Sequence, residues 1–385
     1  MAESVEAILV DNRGSGNALT PPIGELRPTV ARFRASMAHK PTSSSAQAAE
    51  QSSPGANAAE LTRGLTRKII FAALFGGLVF AALALYGDVS KLRAAANEFA
   101  SEAVLLGFAL AAGNYAIRVA RWHYYLRCLD IFVPIGESAM VFLSGFVMSV
   151  TPGKVGEVFK SLLLYESRGV SIARTAPIVI AERLTDLVAL VLLTALGSLA
   201  FEHGVLVASF GAVLVTGMVV VFAYRPLGEA ILRMGERIGP IAKIMHKLHE
   251  AYESLLTMLQ PGPLLIGTLL AFVAWALECA ALWAIVRGFP GLDMAWDAAT
   301  FAYAASTIVG ALAMLPGGLG VTEAGMTGLL QALGGAMMTK EVATAATILV
   351  RIATLWFAVA IGLVALGLFR LHQRRALTAA KQTTV

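Results

Sequence analysis

The sequence has 385 residues, of which 57% are hydrophobic and only 14% charged, with a formal net charge of +5. A soluble domain carries roughly 25% charged residues because its surface must be solvated, so an ordinary cytosolic enzyme is excluded. Disorder needs low hydrophobicity, and a membrane barrel reads as short alternating segments. The apolar runs here are continuous over about 17–28 residues, which predicts an all-α, polytopic helical membrane protein. Lys and Arg gather at the ends of these runs, where topology uses them, so the net charge is no sign of a nucleic-acid partner.

Residues 1–60 read as a disordered tail, rich in Ser, Ala and Pro and poor in aromatics, with no apolar stretch that would mark a secretory signal. Six spans are predicted over roughly 69–86, 103–119, 176–201, 205–223, 264–287 and 342–369. Two more apolar stretches, 138–166 and 299–334, are each interrupted by Pro-Gly. Arg63, Arg67 and Lys68 place the N-terminus in the cytoplasm, and Arg370, Arg374 and Arg375 place the C-terminal segment 371–385 there too. With Arg118, Arg121, Arg127, Arg168 and Arg174 inside and the Lys- and Arg-free turn at Glu202-His203 outside, each interrupted stretch must leave on the side where it began. Each is therefore expected to be a hairpin or re-entrant loop.

Between the two halves, Leu227, Ile231, Met234, Ile238, Ile241, Met245, Leu248, Tyr252 and Leu255 form one helical stripe over 226–260. Gly239-Pro240 should split it in two. Arg233, Arg237, Lys243 and Lys247 lie off the stripe, so the preferred reading is a cationic amphipathic helix on the cytoplasmic leaflet. The alternative is packing on the protein's own cytoplasmic face.

The interrupted stretches share a pattern. The first reads Pro152-Gly153-Lys154-Val155-Gly156-Glu157, and the second Pro316-Gly317-Gly318-Leu319-Gly320 followed by Glu323. Units 103–201 and 264–369 would then be inverted repeats, an arrangement in which broken helices meet near the midplane. Pro ends a helix and Gly allows a tight turn, and a helix restarting after them points free N–H groups at a polar cavity. A plain packing kink is the alternative.

Charges fall where lipid should exclude them. Glu182, Arg183 and Asp186 open an otherwise apolar span, Arg351 lies within another, and Glu278 lies beside Cys279. Such groups pair or line a polar path, and a guanidinium fork suits an anionic headgroup. Arg183 and Arg351 are the main candidates; the alternative is an internal Arg–Glu pair that locks helices, with Glu182 and Glu323 as partners. Arg118 and Arg121 read as interfacial anchors or headgroup ligands. Glu278 needs a partner or a proton, which makes it a candidate coupling site. Cys128 and Cys279 supply neither a disulfide framework nor a CxxC site, and the six His have no zinc spacing, so no metal or cofactor is expected.

PGKVGE at 152–157, ERLTD at 182–186, PGGLGVTE at 316–323 and Arg351 together resemble the flippase-like integral membrane family, the transmembrane region of lysylphosphatidylglycerol synthase. The resemblance covers roughly 65–370. It implies a lipid-handling transmembrane domain over 61–370 with pseudo-symmetric halves. The full synthase carries a soluble aminoacyl-transfer domain after its membrane region; only about 15 residues follow the last span in this sequence, so lysine transfer is not expected. The leading expectation is a flippase or transporter in the cell (inner) membrane for an anionic or polyprenyl-linked lipid. Its expected binding residues are Arg118, Arg121, Pro152, Gly153, Lys154, Gly156, Glu157, Glu182, Arg183, Asp186, Pro316, Gly317, Gly318, Gly320, Glu323 and Arg351. The sequence has no ATP-binding P-loop pattern, so an ion gradient, the membrane potential or the lipid gradient would drive it. The alternatives are a membrane-embedded transferase acting on a lipid phosphate, and a scaffold whose partner is a soluble lipid-modifying enzyme.

Overall fold

The computed structural model describes residues 76–83, 85–86, 99–149, 157–199, 204–223, 226, 229–230 and 245–383. All of them belong to one unit, Leu65–Val385. The 1–60 tail, the start of the first predicted span, the first Pro-Gly break, the turn at Glu202-His203 and Gly239-Pro240 lie outside the described residues.

Among the described residues there are eleven α-helices and no strand. In chain order they are α1 (Ser101–Cys128), α2 (Ile135–Ser144), α3 (Phe159–Arg168), α4 (Ile172–Ser198), α5 (Gly204–Ala223), α6 (Met245–Met258), α7 (Pro261–Arg287), α8 (Trp296–Leu312), α9 (Val321–Leu333), α10 (Lys340–Arg351) and α11 (Phe357–Thr383). A five-residue π-turn, Ile352–Trp356, joins α10 to α11 without ending the rod. Among the described residues three helices are long and apolar enough to cross a membrane, Ser101–Cys128, Pro261–Arg287 and Lys340–Arg375. At 1.5 Å per residue each exceeds the roughly 30 Å hydrocarbon core. Predicted spans 176–201 and 205–223 fall on α4 and α5.

Helix ends follow from local sequence. Glu102 opens α1 and Arg127 closes it, each complementing the helix dipole. Pro261 starts α7, where its missing N–H is no loss, and Arg287 ends it. Thr339 caps α10 by accepting from the Val342 N–H at 3.4 Å.

The element order repeats. A long helix, a broken pair and a second long helix give α1, α2–α3, α4, and again α7, α8–α9, α10–α11. The two opening helices, α1 and α7, share the most extensive contact in the structure. The other contacts are reciprocal: α2 packs on α11, and α8 packs on α4. Each half's core accordingly takes side chains from the other half's closing helix. Phe369 of α11 joins Trp122, Tyr125 and Phe142. Leu190 and Leu193 of α4 join Leu282, Tyr303 and Leu330.

Lipid offers no hydrophobic drive between helices, so small residues set these approaches. A Cβ on Gly197 would lie 2.7 Å from the Phe301 backbone N, and one on Gly362 would lie 2.7 Å from the Val147 backbone N. Each glycine thus seats a closing helix against the backbone of the other half's broken pair.

Two expectations change or sharpen. The second interrupted stretch is a helix–break–helix, α8 turning through Pro316–Gly318 into α9. The amphipathic stripe, preferred as a leaflet helix, is described mainly at its C-terminal half, α6. There Met245, Leu255 and Met258 are buried and the helix packs on α4. Ser171 also donates to Glu250 at 3.0 Å. The packing alternative describes α6, because Met258 fills the core that holds Tyr125.

Candidate functional site

In α1, Arg118 and Arg121 are three residues apart and so share a face. In α4, Glu182, Thr185 and Asp186 do the same. Asp186 is the centre. Its Oδ1 accepts from Arg121 at 2.7 Å, and its Oδ2 lies 2.8 Å from Arg118 Nη2 and 3.0 Å from Arg183 Nη2. Arg183 also reaches Glu157, which opens the turn into α3, at 3.1 Å. Lys160 of α3 pairs with Glu182 at 2.5 Å, and its ammonium lies over the rings of Trp122 and Phe142.

Among the described residues this gives four cations and three carboxylates around one cleft lined by α1, α2, α3 and α4. The sum is one positive charge in excess, and most of the groups are buried. Arg183 is the most open, with its side chain 30% exposed, and marks the mouth. The Nε–H groups of Arg118, Arg121 and Arg183 have no protein acceptor among the described residues. The cavity itself is about 30 Å³, room for about two water molecules.

A second cluster sits at the second break. Gly317, Gly318 and Gly320 have φ of 62°, 70° and 90°, left-handed values that side chains resist, which is why three glycines fall within five residues. Glu323, at the third position of α9, accepts from the Gly320 N–H at 2.6 Å. Its other oxygen pairs with Arg351 Nε at 2.6 Å, while Arg351 Nη2 donates to the Gly317 carbonyl at 2.8 Å. One Glu–Arg pair therefore ties both ends of the break. In the first half, Glu157 likewise pairs with Arg183 of the next long helix.

Between the clusters runs a polar seam. Asn114 donates to the Ala274 carbonyl at 2.7 Å, and Tyr115 donates to the Thr354 carbonyl in the π-turn. The Arg118 guanidinium lies 4.9 Å over Trp275. One turn on, Glu278 accepts from the Tyr303 hydroxyl at 2.5 Å. Outside the membrane, a bidentate contact from Arg168 holds the Glu137 carboxyl below its usual value.

Of the sequence-selected residues, Arg118, Arg121, Glu157, Glu182, Arg183 and Asp186 meet in the first cluster. Pro316, Gly317, Gly318, Gly320, Glu323 and Arg351 make the second. Pro152, Gly153, Lys154 and Gly156 lie outside the described residues. Sequence reasoning did not place Lys160 in the site, nor Tyr303 on Glu278. A buried Lys just after a Pro-Gly break was the available signal for the first; nothing marked the second. Among the described residues no three His, Cys, Asp or Glu group as a metal would need.

Residues 69–362 match the model of a family described as the lysylphosphatidylglycerol synthase TM region. A UPF0104 membrane protein from Methanothermobacter thermautotrophicus is 25% identical over 306 residues, which cover 72% of this chain and 87% of that protein. A second UPF0104 membrane protein from the same organism is 26% identical over 225 residues, covering 54% and 66%.

Proposed function

Because the chain belongs to the lysylphosphatidylglycerol synthase transmembrane-region family, as a multi-pass membrane protein, we propose that it moves an anionic or polyprenyl-linked lipid across the cell (inner) membrane, with both termini in the cytoplasm. The observation that carries this reading is the convergence of three guanidiniums on one buried carboxylate in a cleft with excess positive charge. Asp186 occupies the place an anionic headgroup would take. Guanidinium forks bind phosphate oxygens in pairs, and three Nε–H donors are left over to do so.

The headgroup would replace Asp186 as the common acceptor, with Glu157, Glu182 and Lys160 holding the walls. The acyl or prenyl tails would stay in lipid, passing the apolar faces of α2 and α8. On this reading the cleft would widen to admit a phosphate. Opening would rock one half against the other about the α1–α7 contact, as in repeat-built transporters. Arg351 and Glu323, with Pro316, Gly317, Gly318 and Gly320, would give the second half of the path. Pro152, Gly153, Lys154 and Gly156 would shape the first.

The test is transport by purified protein in vesicles carrying labelled phosphatidylglycerol, a labelled polyprenyl phosphate or labelled phosphatidylcholine. Protein-dependent movement of an anionic lipid is expected. Arg183→Gln should slow it about 10- to 100-fold, the value of one charge-assisted contact. Movement indifferent to Arg183→Gln, or no movement of either anionic lipid, refutes the proposal.

A further inference from the structure

The buried carboxylates are of two kinds. Glu182, Asp186 and Glu323 each have a Lys or Arg nitrogen between 2.5 and 2.7 Å away. Glu278 is also buried, at 7% exposure, within the Pro261–Arg287 rod. Among the described residues no Lys or Arg forms an ion pair with it; the Tyr303 hydroxyl holds it instead. An ionised carboxylate without a counter-ion is strongly disfavoured at membrane depth, and a proton removes the charge.

Its surroundings join the two clusters. Among the described residues, Tyr115 and Arg118 of α1, Asp186 of α4, Tyr303 of α8, Arg351 of α10 and the neighbouring Cys279 are titratable or charged groups within its electrostatic reach. Asp186 is already bound to Arg118, and Arg351 to Glu323. Glu278 therefore bears on one cation from each cluster without being paired to either.

We propose that Glu278 is the proton-binding site of the transport cycle, taking up one proton as the anionic headgroup binds. This rests on the transport reading above. Protonated, Glu278 is neutral and leaves the field of Arg118 and Arg351 free for the headgroup. Ionised, it competes for the same cations. The proton enters on a carboxyl oxygen, Tyr303 continues to donate to Oε2, and the proton leaves when the anion leaves. A headgroup carrying one negative charge and its proton then cross as a neutral pair.

The experiment uses the full chain in vesicles with labelled phosphatidylglycerol, at a series of pH values equal on both sides. Binding by the wild type should weaken toward tenfold per pH unit as pH rises, the slope of one linked proton. Glu278→Gln keeps an acceptor for Tyr303 and should bind and move the lipid with that slope lost. Infrared spectra across the pH series should show a protonated carboxyl band for Glu278 that bound lipid extends to higher pH, that Glu278→Gln removes and that Tyr303→Phe shifts, by deleting its hydrogen bond. An unchanged pH slope in Glu278→Gln, or no such band in the wild type, overturns the proposal. If the wild type moves no lipid, the transport reading fails, and the infrared band still decides whether Glu278 holds a proton.

Discussion

Replacing Arg351 by Met removes one half of a pair whose side chains are 8% and 0% exposed. Among the described residues Glu323 then keeps the Gly320 N–H as its partner. Leaving one charge of a buried pair uncompensated costs about 3–5 kcal/mol, and neutralising Glu323 with a proton limits the loss to the lower end. Arg351→Met also strips a donor from the Gly317 carbonyl, adding roughly 1 kcal/mol. Glu323→Leu should cost a similar amount, because it strands the guanidinium and uncaps α9. The double variant leaves no charge behind, so it should recover much of the loss. Unfolding of all four proteins in mixed detergent micelles gives the coupling energy, expected at about 2 kcal/mol or more. If the two single losses simply add, within about 0.5 kcal/mol, the pair does not brace the second break and the reasoning fails.

Two further outcomes are expected. Gly362→Ala puts a Cβ 2.7 Å from backbone and should destabilise by about 1–3 kcal/mol, whereas Gly367→Ala on the same helix meets nothing within 4 Å and should be neutral or stabilising by up to about 1 kcal/mol; equal effects in the same micelle assay would refute the close approach. Glu137 has a lowered carboxyl value, so its pairing with Arg168 stabilises the folded form above the ordinary value of 4.5 and that contribution fades as pH falls through the lowered one. Since Arg168 is 44% exposed, the acid-dependent part should stay under about 1 kcal/mol, and Glu137→Gln should flatten the acid limb of unfolding.

The long apolar rods and the second broken stretch were legible because length, hydropathy and Pro-Gly are local signals. Of the partners only Glu323 was, since it pairs with Arg351 as the internal Arg–Glu alternative had it. Sequence proximity suggested Glu182 as a mate for an Arg, but residues 182 and 183 point about 100° apart on a helix. Arg183 therefore turns toward Asp186 and Glu157, while Glu182 faces Lys160. The same rotation problem hid Tyr303 from Glu278, since nothing within α7 fixes which face meets α8. In α6 the stripe was visible, yet periodicity gives a face and not its partner. That each half holds a Glu–Arg pair, Glu157–Arg183 and Glu323–Arg351, is a three-dimensional fact that the PGxxG spelling only hinted at.

The reciprocal packing of α2 on α11 and α8 on α4 also bears on synthesis. During translation α2 is inserted long before α11 exists, so its contact face must wait in lipid or against the insertion machinery for some two hundred residues. The first half cannot complete its core alone, because Phe369 arrives only with α11. Assembly of the membrane domain is thus a late, chain-wide closure, and a nascent chain stopped before α11 leaves an unfinished half that quality control can recognise.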